Sequence, residues 1–134
     1  LIKLALEAAL GKRKELQIFG TDYETPDGTC IRDYIHILDL AEAHVLALKY
    51  LKTHNESHIM NCGYGKGSSV REVVAKVKEI SGVDFTVREV GRRAGDPGFL
   101  VSVPEKIKEV LGWKPKYDDL NVIVKTAYDF EKNI

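Results

Sequence analysis

The stretch Ser69-Val70-Arg71-Glu72-Val73-Val74-Ala75-Lys76-Val77-Lys78-Glu79-Ile80-Ser81-Gly82 is the most readable part of the chain. Ser69 and Glu72 stand at the spacing of a capping box, in which hydroxyl and carboxylate each satisfy a backbone N–H that a helix start leaves open. Behind them Val70, Val73, Val74, Val77 and Ile80 recur on one face of a helix. Gly82 is suited to end that helix in the left-handed conformation. On both sides the period changes. His58 to Asn61 reads as a strand, and Gly63, Gly65 and Gly67 punctuate a turn. After the helix, Phe85 and Val87 alternate with Thr86 and Arg88 as in a half-buried strand. Strand, capped helix and strand in succession predict α/β layering.

Working outward, Leu16 to Phe19 reads as a short strand, followed by a polar loop from Gly20 to Thr29. Asp39 with Glu42 predicts a second capping box opening a helix over roughly 40–52. Apolar residues surround most of that helix, which predicts burial and makes His44 a core histidine. The apolar run Leu1–Leu10 reads as a helix ended by Gly11, with no capping residue before it. That start predicts a chain beginning partway through a longer protein, and a first helix left mobile or covered by another polypeptide. Downstream, Arg92 to Gly98 is a charged loop. Pro104 suits the first turn of a short helix carrying Ile107, Val110 and Leu111, with Gly112 as its stop. A last helix is predicted from Asp119 to Lys132, with Leu120, Ile123, Val124 and Ala127 inward.

The 134 residues suit one domain, residues 1–134, and carry 20 Lys+Arg against 20 Asp+Glu. Such a balance offers no basic field for nucleic acid. No apolar run approaches the ~20 residues of a membrane-spanning helix, and no signal-peptide pattern opens the chain. With only Cys30 and Cys62, the composition fits a reducing compartment, and a cytoplasmic location is expected.

Gly63-Tyr64-Gly65-Lys66-Gly67, between a strand and a helix with Asp84 beyond, imitates a dinucleotide fingerprint. Its third glycine is one position early, and the doubly wound sheet that completes such a site needs a longer chain, so a structural turn is the better reading. His36, His44, His54, His58 and the cysteines lack the spacing of a zinc site, so no metal is expected. No serine or cysteine stands in a nucleophile signature. Two arginine-bearing stretches remain, Arg32-Asp33-Tyr34 and Gly91-Arg92-Arg93-Ala94-Gly95-Asp96. Two guanidinium groups can grip a pyrophosphate, with Asp96 accepting from a ribose hydroxyl. Surface Arg–Asp pairs of little energetic weight would show the same pattern, and spacing alone does not separate the two.

A resemblance does. Ile18-Phe19-Gly20-Thr21-Asp22-Tyr23-Glu24-Thr25-Pro26-Asp27-Gly28-Thr29, running into Arg32-Asp33-Tyr34-Ile35-His36 and Asp39-Leu40-Ala41, resembles the C-terminal part of the UDP-glucose 4-epimerase family. Asn61-Cys62-Gly63-Tyr64-Gly65, Arg92-Arg93-Ala94-Gly95-Asp96-Pro97 and Leu111-Gly112-Trp113-Lys114-Pro115 are similar to the same family in the same order. Cys62, and Ser102-Val103 before Pro104, depart from its usual pattern.

The resemblance implies the small C-terminal substrate domain of an extended short-chain dehydrogenase fold, lacking the N-terminal Rossmann domain. NAD would be bound by that missing domain, where a Tyr-x-x-x-Lys pair does the proton chemistry. This sequence contains no such pair, so neither catalytic nor cofactor-binding residues are expected in it. By resemblance, the backbone of Gln17, Ile18 and Phe19 would meet uracil, Arg32 and Arg93 the diphosphate, and Tyr34 and Asp96 the ribose. Leu100 falls near a position whose size governs admission of N-acetylated sugars. UDP-glucose and UDP-galactose are the implied ligands, and the longer protein is expected to be a homodimer. Two alternatives stand beside this reading. One is another nucleotide-sugar epimerase, dehydratase or decarboxylase of the superfamily; the other is a stand-alone UDP-sugar-binding module.

Overall fold

The computed structural model describes residues 1–134, in which helices and short strands alternate. Helix α1 (Ile2–Ala9) leads into strand β1 (Leu16–Phe19), and β2 (Ile31–Arg32) precedes the long helix α2 (Ile37–His54). Strand β3 (Ser68–Ser69) runs straight into α3 (Val70–Ser81). The chain ends with β4 (Val87–Val90), β5 (Phe99–Leu100), α4 (Glu105–Leu111) and α5 (Leu120–Lys132). β1 and β4 pair in parallel, with Leu16 opposite Val87 and Phe19 opposite Val90. A second sheet has the order β3-β2-β5. Its parallel β2–β5 register sets Arg32 opposite Leu100.

The capped helix forms as its spacing predicts. Ser69 and Glu72 close the box from both sides, and Gly82 ends α3 at φ +69°. Its valines bury against α1 and α5, in a core that also holds Leu6, Leu16, Ile18, Phe85 and Val124. A second cluster joins Ala43, Tyr64, Ile107, Trp113 and Ile123. Trp113 anchors it, and its indole N–H donates to the Asp39 carbonyl at 3.0 Å.

Four expectations give way. Helix α1 needs no neighbouring polypeptide to bury its inner face: Ala5 and Leu6 are 0% exposed within this chain, although Leu1 and Leu4 remain at the surface. Asp39 is not a cap. The His36 ring takes that role, its Nδ1 accepting from the Leu38 N–H at 3.1 Å. The helix therefore begins at Ile37, and Asp39, inside the first turn, spends its carboxylate on partners far along the chain.

Nor is α2 well buried, since only Asp39 and Ala43 are enclosed. Ile37, Leu38, Val45, Leu48 and Leu51 stay exposed, as does His44, whose Nδ1 lies 2.8 Å from the Leu40 carbonyl oxygen. An apolar circumference states what a helix can bury, while the layers around it decide what it does bury. The same reason governs residues 58–61, which join no sheet and leave Ile59 92% exposed. Alternation assigns side chains to faces, but a strand also needs a ladder partner. The chain exposes 8310 Å², against roughly 7,000 Å² for a monomer of 15.0 kDa.

Candidate functional site

Strand pairing brings three distant segments to one place. β1 supplies Gln17, Ile18 and Phe19; β2 and its exit supply Arg32 and Tyr34; the loop after β4 supplies Arg93 and Asp96. These seven line a single cavity of roughly 180 Å³. Leu100, the remaining candidate, is not on its wall, but the β2–β5 register holds it opposite Arg32, 59% exposed. The wall also includes Cys30 and Val70, which sequence reasoning missed as site residues. The signal for Cys30 was present: residues 30, 32 and 34 share one face of an extended segment.

The two neighbouring arginines do different work. Arg93 stacks its guanidinium over the Phe19 ring at 4.6 Å, and its Nε donates to Asp96 at 2.8 Å. Its side chain remains 61% exposed and keeps donors for a ligand. Arg92 turns elsewhere. It lies over the Tyr23 ring at 4.2 Å, and its Nε donates to Asp22 at 2.8 Å. That bond holds the Asp22 carboxyl below the usual range and ties the loop after β4 to the loop after β1.

Arg32 donates from Nη1 to the Ile31 carbonyl at 2.8 Å, which orients the guanidinium beside its own strand. Burial pushes the Tyr34 hydroxyl up to about 12, so at neutral pH it is a hydrogen-bond donor rather than a base. Two guanidinium groups, a carboxylate and a neutral phenol suit a ligand that carries both negative charge and hydroxyls.

The glycine turn is built for another purpose. The N–H groups of Tyr64 and Gly65 both donate to the Asp33 carboxylate at 3.0 Å. The start of α3 is closed by its own capping box. A dinucleotide's pyrophosphate needs such amides free, and in this turn Asp33 already occupies them.

The family model described as GDP-mannose 4,6 dehydratase matches residues 1–126, and the chain belongs to that family. Its relatives are UDP-glucose 4-epimerases. That of Azospirillum brasilense is 55% identical over 134 residues, which is 100% of this chain and 38% of that protein. Among solved structures, the UDP-Glc/GlcNAc 4-epimerase of Campylobacter jejuni is 56% identical with a TM-score of 0.88, covering 99% of this chain and 40% of that one. The UDP-glucose 4-epimerase of Brucella ovis, in complex with NAD, is 46% identical with a TM-score of 0.91, covering 97% of this chain and 40% of that one. The chain thus spans about two-fifths of the length of the relatives it matches, their C-terminal portion.

Proposed function

We propose that residues 1–134 form the UDP-sugar-holding domain of a UDP-glucose 4-epimerase, and that they carry no catalytic group of their own. The convergence of Gln17–Phe19, Arg32, Tyr34, Arg93 and Asp96 on one cavity supports this most directly. The names of the relatives agree with it.

In the longer protein, NAD bound outside residues 1–134 would supply the hydride chemistry at C4 of the sugar, and none of the present residues takes part in that step. The part of the present residues is to hold the nucleotide still while the hexose turns. Arg93 and Arg32 clamp the diphosphate through charge-assisted bonds. The β1 backbone meets the uracil edge, and Tyr34 and Asp96 fix the ribose. Leu100 borders the hexose. A grip on the shared nucleotide is the same for both epimers, so the clamp itself favours neither product.

Calorimetric titration with UDP, and incubation with UDP-galactose and NAD, test the proposal. UDP should bind, and no UDP-glucose should form. Failure to bind UDP, or turnover above a buffer control from pure chain, overturns it. The family description favours a second reading, a GDP-sugar dehydratase. Tighter binding of GDP than of UDP in the same titration would select that reading instead.

A further inference from the structure

The two free cysteines stand in opposite electrostatic surroundings. Cys62 is half-buried, and burial, followed by the Asp33 and Asp39 carboxylates, pushes its thiol above the usual range. Cys30 is buried from bulk solvent but borders the cavity. Its wall carries the guanidiniums of Arg32 and Arg93 against the single carboxylate of Asp96. Asp96 pairs with Arg93, while Arg32 donates only to the neutral Ile31 carbonyl.

Beside the Cys30 thiol lies the Tyr23 hydroxyl, the only buried side-chain nitrogen or oxygen without a hydrogen-bond partner. Tyr23 is 8% exposed, so water does not take that role. Burial, then the neighbouring thiol, pushes the hydroxyl above its usual range, and at neutral pH it is a donor lacking an acceptor. A buried donor in that state gains from any ligand that brings one.

We propose that Cys30 is a modification site for a soft electrophile carrying a carboxylate, and that modification there closes the cavity to nucleotide. Arg32 and Arg93 draw the carboxylate in, the Cys30 sulfur attacks, and Tyr23 donates the hydrogen bond its hydroxyl otherwise lacks. With iodoacetate as the probe, a sulfur–carbon bond forms and the carbon–iodine bond breaks. Iodide leaves with the electron pair, and the thiol proton passes to solvent. The carboxymethyl group then fills part of the cavity and engages the guanidiniums that a diphosphate would use. Closure to nucleotide rests on the UDP-sugar reading above; attraction of the carboxylate does not.

Iodoacetate and iodoacetamide share a reacting carbon and differ in charge, so their rates at each cysteine, read by peptide mass, isolate the electrostatic pull. The iodoacetate-to-iodoacetamide ratio should be about tenfold higher at Cys30 than at Cys62, the lower end of what a charged cleft does to a local concentration. Tyr23→Phe should slow carboxymethylation of Cys30 several-fold and leave Cys62 as it was, whereas mere loosening of the loop would speed it. UDP at about ten times its dissociation constant should slow labelling of Cys30 by about tenfold, by mass action. Carboxymethylated Cys62→Ser should no longer bind UDP in calorimetry. No label at Cys30, an equal ratio at the two cysteines, or faster labelling in Tyr23→Phe overturns the site. Unslowed labelling where calorimetry shows UDP bound overturns the closure alone. Absence of UDP binding by the untreated chain overturns the UDP-sugar reading and the closure with it, and the charge ratio still decides the site.

Discussion

The Tyr64 hydroxyl donates to the Asp39 carboxylate at 2.6 Å, joining the glycine turn to the first turn of α2. The other donors to that carboxylate are the amides of Lys116 and Tyr117, each at 2.9 Å. Burial drives the Asp39 carboxyl upward, but these three bonds more than offset it and hold it below its usual range.

Asp39→Ala leaves those three donors without an acceptor, at about 1–3 kcal/mol for each group that stays buried. A loss of about 3 kcal/mol or more is expected from urea unfolding at neutral pH, and a loss under ~1 kcal/mol would show that water or a side chain takes over. The pH dependence has a fixed sign. A carboxyl depressed in the folded state contributes fully above its unfolded value, about 3.9, and that contribution disappears as pH falls through the folded value. Stability should therefore drop below about pH 4, and Asp39→Asn should flatten that part of the profile.

For the clamp, Arg93→Ala should weaken UDP binding by roughly 10- to 150-fold, the worth of hydrogen bonds to a charged partner. The lower end is expected, because Arg93 must give up Asp96 to reach a phosphate. Arg93→Lys should recover only part, since an ammonium lacks the two-pronged donor geometry. Arg92→Ala should be milder, because its guanidinium is engaged with Asp22 and Tyr23. Equal UDP affinity for wild type and Arg93→Ala in calorimetry would remove Arg93 from the clamp.

Glycines give a paired comparison. Gly28 sits at φ +79°, and a Cβ there would meet the Thr21 carbonyl oxygen at 2.1 Å. Gly28→Ala should cost about 1–3 kcal/mol, from crowding and a disfavoured backbone conformation together. Gly91 has no neighbour within 4 Å of its would-be Cβ. Gly91→Ala should be neutral or slightly stabilising, and thermal unfolding of the two variants side by side checks the contrast.

The apolar stripe of α2 makes a different claim. Val45 and Leu48 are 51% and 56% exposed. Replacing either with lysine should change stability by less than about 0.5 kcal/mol, as surface substitutions do. The same changes should raise the concentration at which the chain self-associates, measured by sedimentation. A destabilisation of about 2 kcal/mol or more would mean that the stripe is buried in solution.

Local chemistry was readable where a residue answers to its near neighbours. The α3 capping box, the Gly82 stop and the valine face need only residues within one helix, and all of them formed. What was not legible depended on distant partners. Asp39 carries a cap's signature, yet its carboxylate is claimed by Tyr64, Lys116 and Tyr117. The two-residue strands β2, β3 and β5 are too short to show a period, although they bring Arg32 and Leu100 together. Arg32, Arg93 and Asp96 were candidates from residue chemistry alone, but only the resemblance chose them over a surface ion-pair reading, and it alone supplied Gln17, Ile18 and Phe19. Spacing along the chain did not distinguish Arg93, which faces the cavity, from Arg92, which does not.

The uncovered side of α2 also leaves a calorimetric signature. Side chains that are wet both before and after unfolding add nothing to the heat-capacity increment, which arises from apolar surface newly brought into contact with water. A chain of 134 residues ordinarily gives about 1.6–2.0 kcal/mol/K. With Ile37, Leu38, Val45, Leu48, Leu51 and Ile59 already hydrated in the native state, this one should fall below that range. Its stability curve should be correspondingly shallow, so that cooling and warming away from the optimum erode the native state more slowly than its length suggests.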